Sequence, residues 1–81
     1  MSSKAKRVAE AVAAVGEERV NLAASYVVNL KDMSKEEVFA VWVRECCGRI
    51  CGPDIREQRK SWMIYDIVGK HYGKVVASAV A

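Results

Sequence analysis

The chain has 81 residues, 52% of them hydrophobic, and carries a formal charge of +3 at pH 7. A chain this short is expected to form one small helical domain over residues 1–81. Folded alone, it hides only about 60% of its unfolded surface. Its longest unbroken apolar run, Val38–Val43, falls well short of the roughly 20 residues a membrane-spanning helix requires.

The opening Met1-Ser2-Ser3-Lys4 and the alanines and valines after it have the basic start of a signal peptide. Glu10 interrupts the apolar stretch and Gly16-Glu17-Glu18 closes it early, so the expected location is cytoplasmic, in a reducing compartment. The apolar content exceeds what one small core uses, which predicts a homodimer.

In chain order, positions 3–15 read as an alanine-rich helix with Val8, Ala11, Val12 and Val15 on one stripe. Gly16 marks either a break or a tolerated flaw in a longer helix. Glu17–Leu30 is ambiguous. Val20, Leu22, Ala24, Tyr26, Val28 and Leu30 alternate as on a strand, whereas Asn21, Ser25 and Asn29 recur at helical spacing. Ala23-Ala24 and the preceding glutamates favour helix, with a paired β-ribbon as the alternative.

Lys31-Asp32-Met33 is the expected connector. Ser34-Lys35-Glu36-Glu37 comes next as a capping box, serine and the glutamate three residues on each serving an exposed N–H at a helix start. That helix is predicted from Lys35 to about Cys47, burying Phe39, Trp42, Val43, Cys46, Cys47 and Ile50. Pro53 suits the first turn of a further helix, with Asp54 and Glu57 complementing its positive end. The helix itself is expected from Ile55 to about His71, with Trp62, Met63, Ile64, Ile67 and Val68 inward. Gly69 and Gly73 are weak points, and Lys74–Ala81 is a candidate for one further short helix. The fold expected is all-α, with three or four short helices.

Cys46, Cys47 and Cys51 lie close together, and His71 is the only histidine. A Cys3His zinc set is arithmetically possible, but the two-residue spacing of a zinc knuckle is missing. Packing in a core or interface is the reading of these thiols, and no metal or other cofactor is expected. His71 has no nucleophile motif around it, Asp66 lies five residues away rather than one turn, and there is no phosphate-cradling glycine loop. Catalysis is not expected.

The basic residues from Arg49 onward offer more. Arg56, Arg59 and Lys60 form one group, with Lys70, His71 and Lys74 about 22 Å further along if the segment is helical. Arg49 is a peripheral member. Two such groups can contact a nucleic-acid backbone through its phosphates.

Val68-Gly69-Lys70-His71-Tyr72-Gly73 resembles the first half of a helix-turn-helix, with apolar, small, two polar, apolar and turn-glycine residues in that order. The resemblance implies that Lys74–Ala81 would be the recognition helix. Lys74 stands where such motifs are apolar, and the segment lacks the polar side chains that read base edges. The contact implied is therefore to the shape and backbone of duplex DNA or RNA. The expected function is a small non-enzymatic regulator binding nucleic acid through phosphate contacts. The alternative is an inhibitor or adaptor that docks its Val20–Leu30 segment, or the Phe39, Trp42, Trp62 and Tyr65 aromatics, on a larger protein.

Overall fold

The regular structure is helical throughout the residues described in this computed structural model, which are 3–47 and 55–81, with Cys47 described by its backbone alone. The helices are α1 (Ser3–Val15), α2 (Glu17–Asp32), α3 (Lys35–Trp42), α4 (Lys60–Tyr72) and α5 (Lys74–Val80). A π-helical turn, Val43–Cys47, continues α3, and a 3-10 turn, Ile55–Glu57, precedes α4. Among the described residues there is no strand, and no helix is long and apolar enough to cross a membrane. The expectations for Arg49, Ile50, Cys51, Pro53 and Asp54, and for the Cys47 thiol, lie outside the described residues.

The all-α expectation holds, but five α-helices replace the expected three or four. Two glycines account for the difference. Gly16 (φ 95, ψ 152) joins α1 to α2, and Gly73 (φ 93, ψ 157) joins α4 to α5, each as the sole residue between its helices. That backbone conformation is essentially open to glycine alone. At each hinge the glycine amide closes the preceding helix (Gly16 N to Val12 O, 2.8 Å; Gly73 N to Gly69 O, 2.9 Å). Its carbonyl opens the next (Val20 N to Gly16 O, 3.3 Å; Ala77 N to Gly73 O, 3.0 Å).

The ambiguous segment is helical, and the β-ribbon alternative falls. In α2 the buried residues are Val20, Ala23, Val27 and Leu30, the i, i+3, i+7, i+10 set of one helix face. Leu22 and Val28, which give the pattern its alternating look, are 56% and 57% exposed. The helix also absorbs Lys31 and Asp32 before Met33 ends it.

Ser34 caps α3 as expected. Its hydroxyl oxygen accepts from Glu37 N at 3.2 Å and the hydroxyl donates to Glu37 Oε1 at 3.1 Å. The stripe on this helix differs by one position, because Val38 is fully buried while Phe39, Trp42 and Val43 are half-buried.

The single helix expected over Ile55–His71 is interrupted instead. Gln58 N bonds back to Ile55 O (3.2 Å) to close the 3-10 turn, and Arg59 is extended (φ −89, ψ 135). The run Arg56-Glu57-Gln58-Arg59-Lys60 contains no apolar residue to hold a continuous helix against the core. Within α4, Met63, Ile64, Ile67 and Val68 are buried as expected, whereas Trp62 is 65% exposed. At about 100° per residue the four buried positions span an arc of about 140°, and Trp62 lies about 170° from its centre.

Helix α5 packs against α1, α2 and α4, and α4 packs against α2 and α3 as well. A Cβ at Gly69 would stand 3.9 Å from Ala77 Cβ, in ordinary contact, so the packing of α5 on α4 does not require glycine there. Among the described residues the buried ones are four alanines (11, 23, 77, 79), five valines (20, 27, 38, 68, 76), Leu30, Met63, Ile64 and Ile67. None of the six aromatic residues belongs to this set.

Candidate interaction site

The basic residues singled out in the sequence are divided by the fold. Lys60 is half-buried, and its Nζ donates to Lys31 O at 2.7 Å. Lys31 is in the last turn of α2, so the ammonium covers carbonyls left open at the negative end of that helix. Lys70 Nζ donates to Glu45 O in the π turn. Two of the expected phosphate ligands are thus engaged with backbone carbonyls.

Arg56 on the 3-10 turn, Arg59 before α4 and Lys74 at the start of α5 are exposed. Lys74 and Lys70 line one open groove of about 510 Å³ with Glu45, Cys46, Tyr65, Asp66 and Gly69. Arg59 belongs to a different groove, so the fold does not gather these cations at one place.

The expected recognition helix is a core element. Val76, Ala77 and Ala79 of α5 are buried, because a helix whose residues are mostly valine and alanine covers the apolar faces of α1, α2 and α4. The helix-turn-helix implication is corrected accordingly: one glycine separates α4 from α5, and α5 offers Lys74, Val75 and Ser78 to solvent.

A polar and aromatic cluster surrounds the π turn. His71 Nε2 lies 3.0 Å from Glu45 Oε2, while Arg19 donates to His71 O at 2.9 Å and stacks its guanidinium 5.1 Å from the Tyr72 ring centroid. Tyr26 contacts both rings, at 5.6 Å from His71 and 6.1 Å from Tyr72. Burial, then the nearby Glu45 carboxylate, raises the Tyr26 hydroxyl above its ordinary range of about 10.

Glu45 is the hub, gripped through its carbonyl by Lys70 and through its carboxylate by His71. Sequence spacing missed it because its partners lie 25 and 26 residues away. Cys46, inside the π turn, is exposed rather than buried as expected. Among the described residues no three His, Cys, Asp or Glu side chains gather as a metal site.

The outward face of α4 is aromatic. Trp62 is the most exposed of the large apolar side chains among the described residues, and it stands as a ridge between two grooves. One, of about 460 Å³, is lined by Ser61, Trp62, Tyr65 and Ala81. The other, of about 380 Å³, is lined by Glu57, Gln58, Arg59, Trp62, Met63 and Asp66. Asp66 is held from behind, its Oδ2 accepting from Trp42 Nε1 at 3.0 Å, and Trp42 in turn packs on Phe39 with ring centroids 6.0 Å apart. Tyr65 meets Ser78 of α5, hydroxyl to hydroxyl, at 3.3 Å. Asp66 is therefore the partner of Trp42, and His71 finds its carboxylate in Glu45. No family model, no curated protein and no solved structure matches the chain.

Proposed function

We propose that the chain is a non-enzymatic interaction protein that acts through contact with another protein, using the face of α4 centred on Trp62, and that it forms a homodimer. The observation that carries this reading is the distribution of the aromatics. Aromatic side chains ordinarily dominate a small core. Here the fully buried core is alanine and aliphatic, the other aromatics are half-buried, and Trp62 is 65% exposed. Trp, Tyr and Arg are the residues enriched where binding energy concentrates, and Arg59, Trp62 and Tyr65 occur together on this surface.

Trp62→Ala tests the reading. Removing a solvent-facing side chain changes the stability of the folded monomer by no more than about 0.5 kcal/mol, so Tm measured where the chain is monomeric should hold while association is lost. A complex kept equally by wild type and variant, measured by light scattering, overturns it.

A second reading, nucleic-acid binding through phosphates, is supported by the exposure of Arg56, Arg59 and Lys74. It predicts salt-sensitive binding of duplex DNA or RNA, lost uniformly across sequences on charge reversal at these positions. An anisotropy titration at two salt concentrations that shows no binding at the lower one removes it.

A further inference from the structure

Resting on the reading of the Trp62 face as a protein contact, we infer that its occupant is a second copy of this chain. The second α4 lies antiparallel to the first, with Arg59 of each copy paired to Asp66 of the partner subunit. The argument is one of symmetry and sign. Arg59 precedes Trp62 by three residues and Asp66 comes four after it, and all three line one groove. At about 100° per residue Asp66 falls about 40° from the Trp62 direction, and Arg59, the extended residue just before α4, reaches the same groove from the start of the helix.

A two-fold axis crossing α4 at the height of Trp62 exchanges the residue one turn before it for the residue one turn after it. A two-fold contact uses one patch twice, so the patch must complement itself. This one does so in one direction only. Antiparallel helices set Arg59 against Asp66 of the partner subunit twice over, whereas parallel helices would set arginine against arginine and aspartate against aspartate.

The shape agrees with the charge. Trp62 is a ridge with a groove on either side, so two copies related by the axis can seat each ridge in the other's Ser61, Trp62, Tyr65, Ala81 groove. Indole against indole in offset contact is favourable in its own right. The Trp42 bond orients the Asp66 carboxylate through Oδ2, and a carboxylate accepts further bonds at its other oxygen. Glu57 lines the same groove as Arg59. It sits on the 3-10 turn two residues before Arg59, further from Trp62 along the chain than the Arg59–Asp66 pair.

Sedimentation equilibrium on wild type, Arg59→Asp, Asp66→Arg and the charge-swapped double variant tests the inference. Wild type should have twice the 9.0 kDa chain mass. Each single variant turns two attractions into two repulsions and should weaken the dimer about tenfold. The double variant, with the pairs restored in reverse, should recover to within about threefold of wild type.

Arg59 makes no side-chain cap bond to α4, so Arg59→Asp remains informative if Asp66→Arg, which loses the Trp42 bond, folds poorly. A monomeric wild-type chain that still loses a different protein partner on Trp62→Ala overturns the second copy and leaves the docking face standing. A dimer indifferent to Trp62→Ala and to both charge reversals overturns the inference, and if no other protein partner is lost on Trp62→Ala either, it overturns the docking face as well.

Discussion

Replacing Lys60 by methionine separates structural from binding roles among the basic residues. In the native fold Lys60 Nζ donates to Lys31 O at 2.7 Å, covering the C-terminal end of α2. A hydrogen bond to a charged group is worth about 1.5–3 kcal/mol when sheltered, and solvent at this half-buried contact reduces that to about 1–1.5 kcal/mol. An opposing effect exists, because Lys60 is also the first residue of α4. A cation is unfavourable there, so its removal returns about 0.3–0.5 kcal/mol.

The net loss is about 1 kcal/mol. For 81 residues the unfolding entropy near the midpoint is about 0.17 kcal/mol/K, which converts that loss to a fall in Tm of about 6 °C. Arg59→Ala, at the neighbouring exposed position, should stay within about 0.5 kcal/mol of wild type when both are melted as monomers. Thermal melts monitored by circular dichroism at 222 nm read both variants. A Lys60→Met midpoint equal to or above wild type would show that the contact with Lys31 carries no stability, and Lys60 would return to the set of residues available to a ligand.

The caps and hinges set further outcomes. Ser34→Ala removes the cap on α3 and should cost about 1 kcal/mol, read as a Tm lower by about 6 °C. Gly73→Ala forces a side chain into φ 93, ψ 157 and should destabilise by about 1–3 kcal/mol or more, whereas Gly69→Ala, at ordinary helical φ with its nearest neighbour 3.9 Å away, should cost less in the same denaturant titration. For Tyr26 the folded state holds the phenol proton more tightly than the unfolded chain. Its contribution is therefore complete below pH about 10 and is lost as pH rises through the raised value. Tyr26→Phe should make the decline in stability above pH 10 shallower than in wild type, and an identical decline in the two proteins would refute the burial argument.

Much of the fold is legible in the sequence because its signals are local. Ser3–Val15 is marked by its stripe, α3 by the Ser34 cap, and α5 by an apolar run after glycine. The exposure of Trp62 is legible too, once the arc of Met63, Ile64, Ile67 and Val68 is measured around the helix. The interruption at Gln58–Arg59 and the π turn are not, because both answer to packing against helices distant in sequence.

Charge is the most misleading signal. A count of basic residues treats them all as facing solvent, yet Lys60 and Lys70 reach carbonyls 29 and 25 residues away, and Arg19, outside the basic groups of the second half, holds the far end of α4 through His71 O. Composition records how many cations a chain has, and only tertiary contacts determine which are spent on the chain itself.

The most direct test of Trp62 as a protein contact is its own fluorescence, obtained as the difference between wild type and Trp62→Phe while the complex assembles with rising concentration. Burial of the indole against a partner predicts a blue shift of the difference emission and a fall in its quenching by acrylamide as mass increases. A difference spectrum that stays that of a solvated indole while the mass doubles would contradict the account.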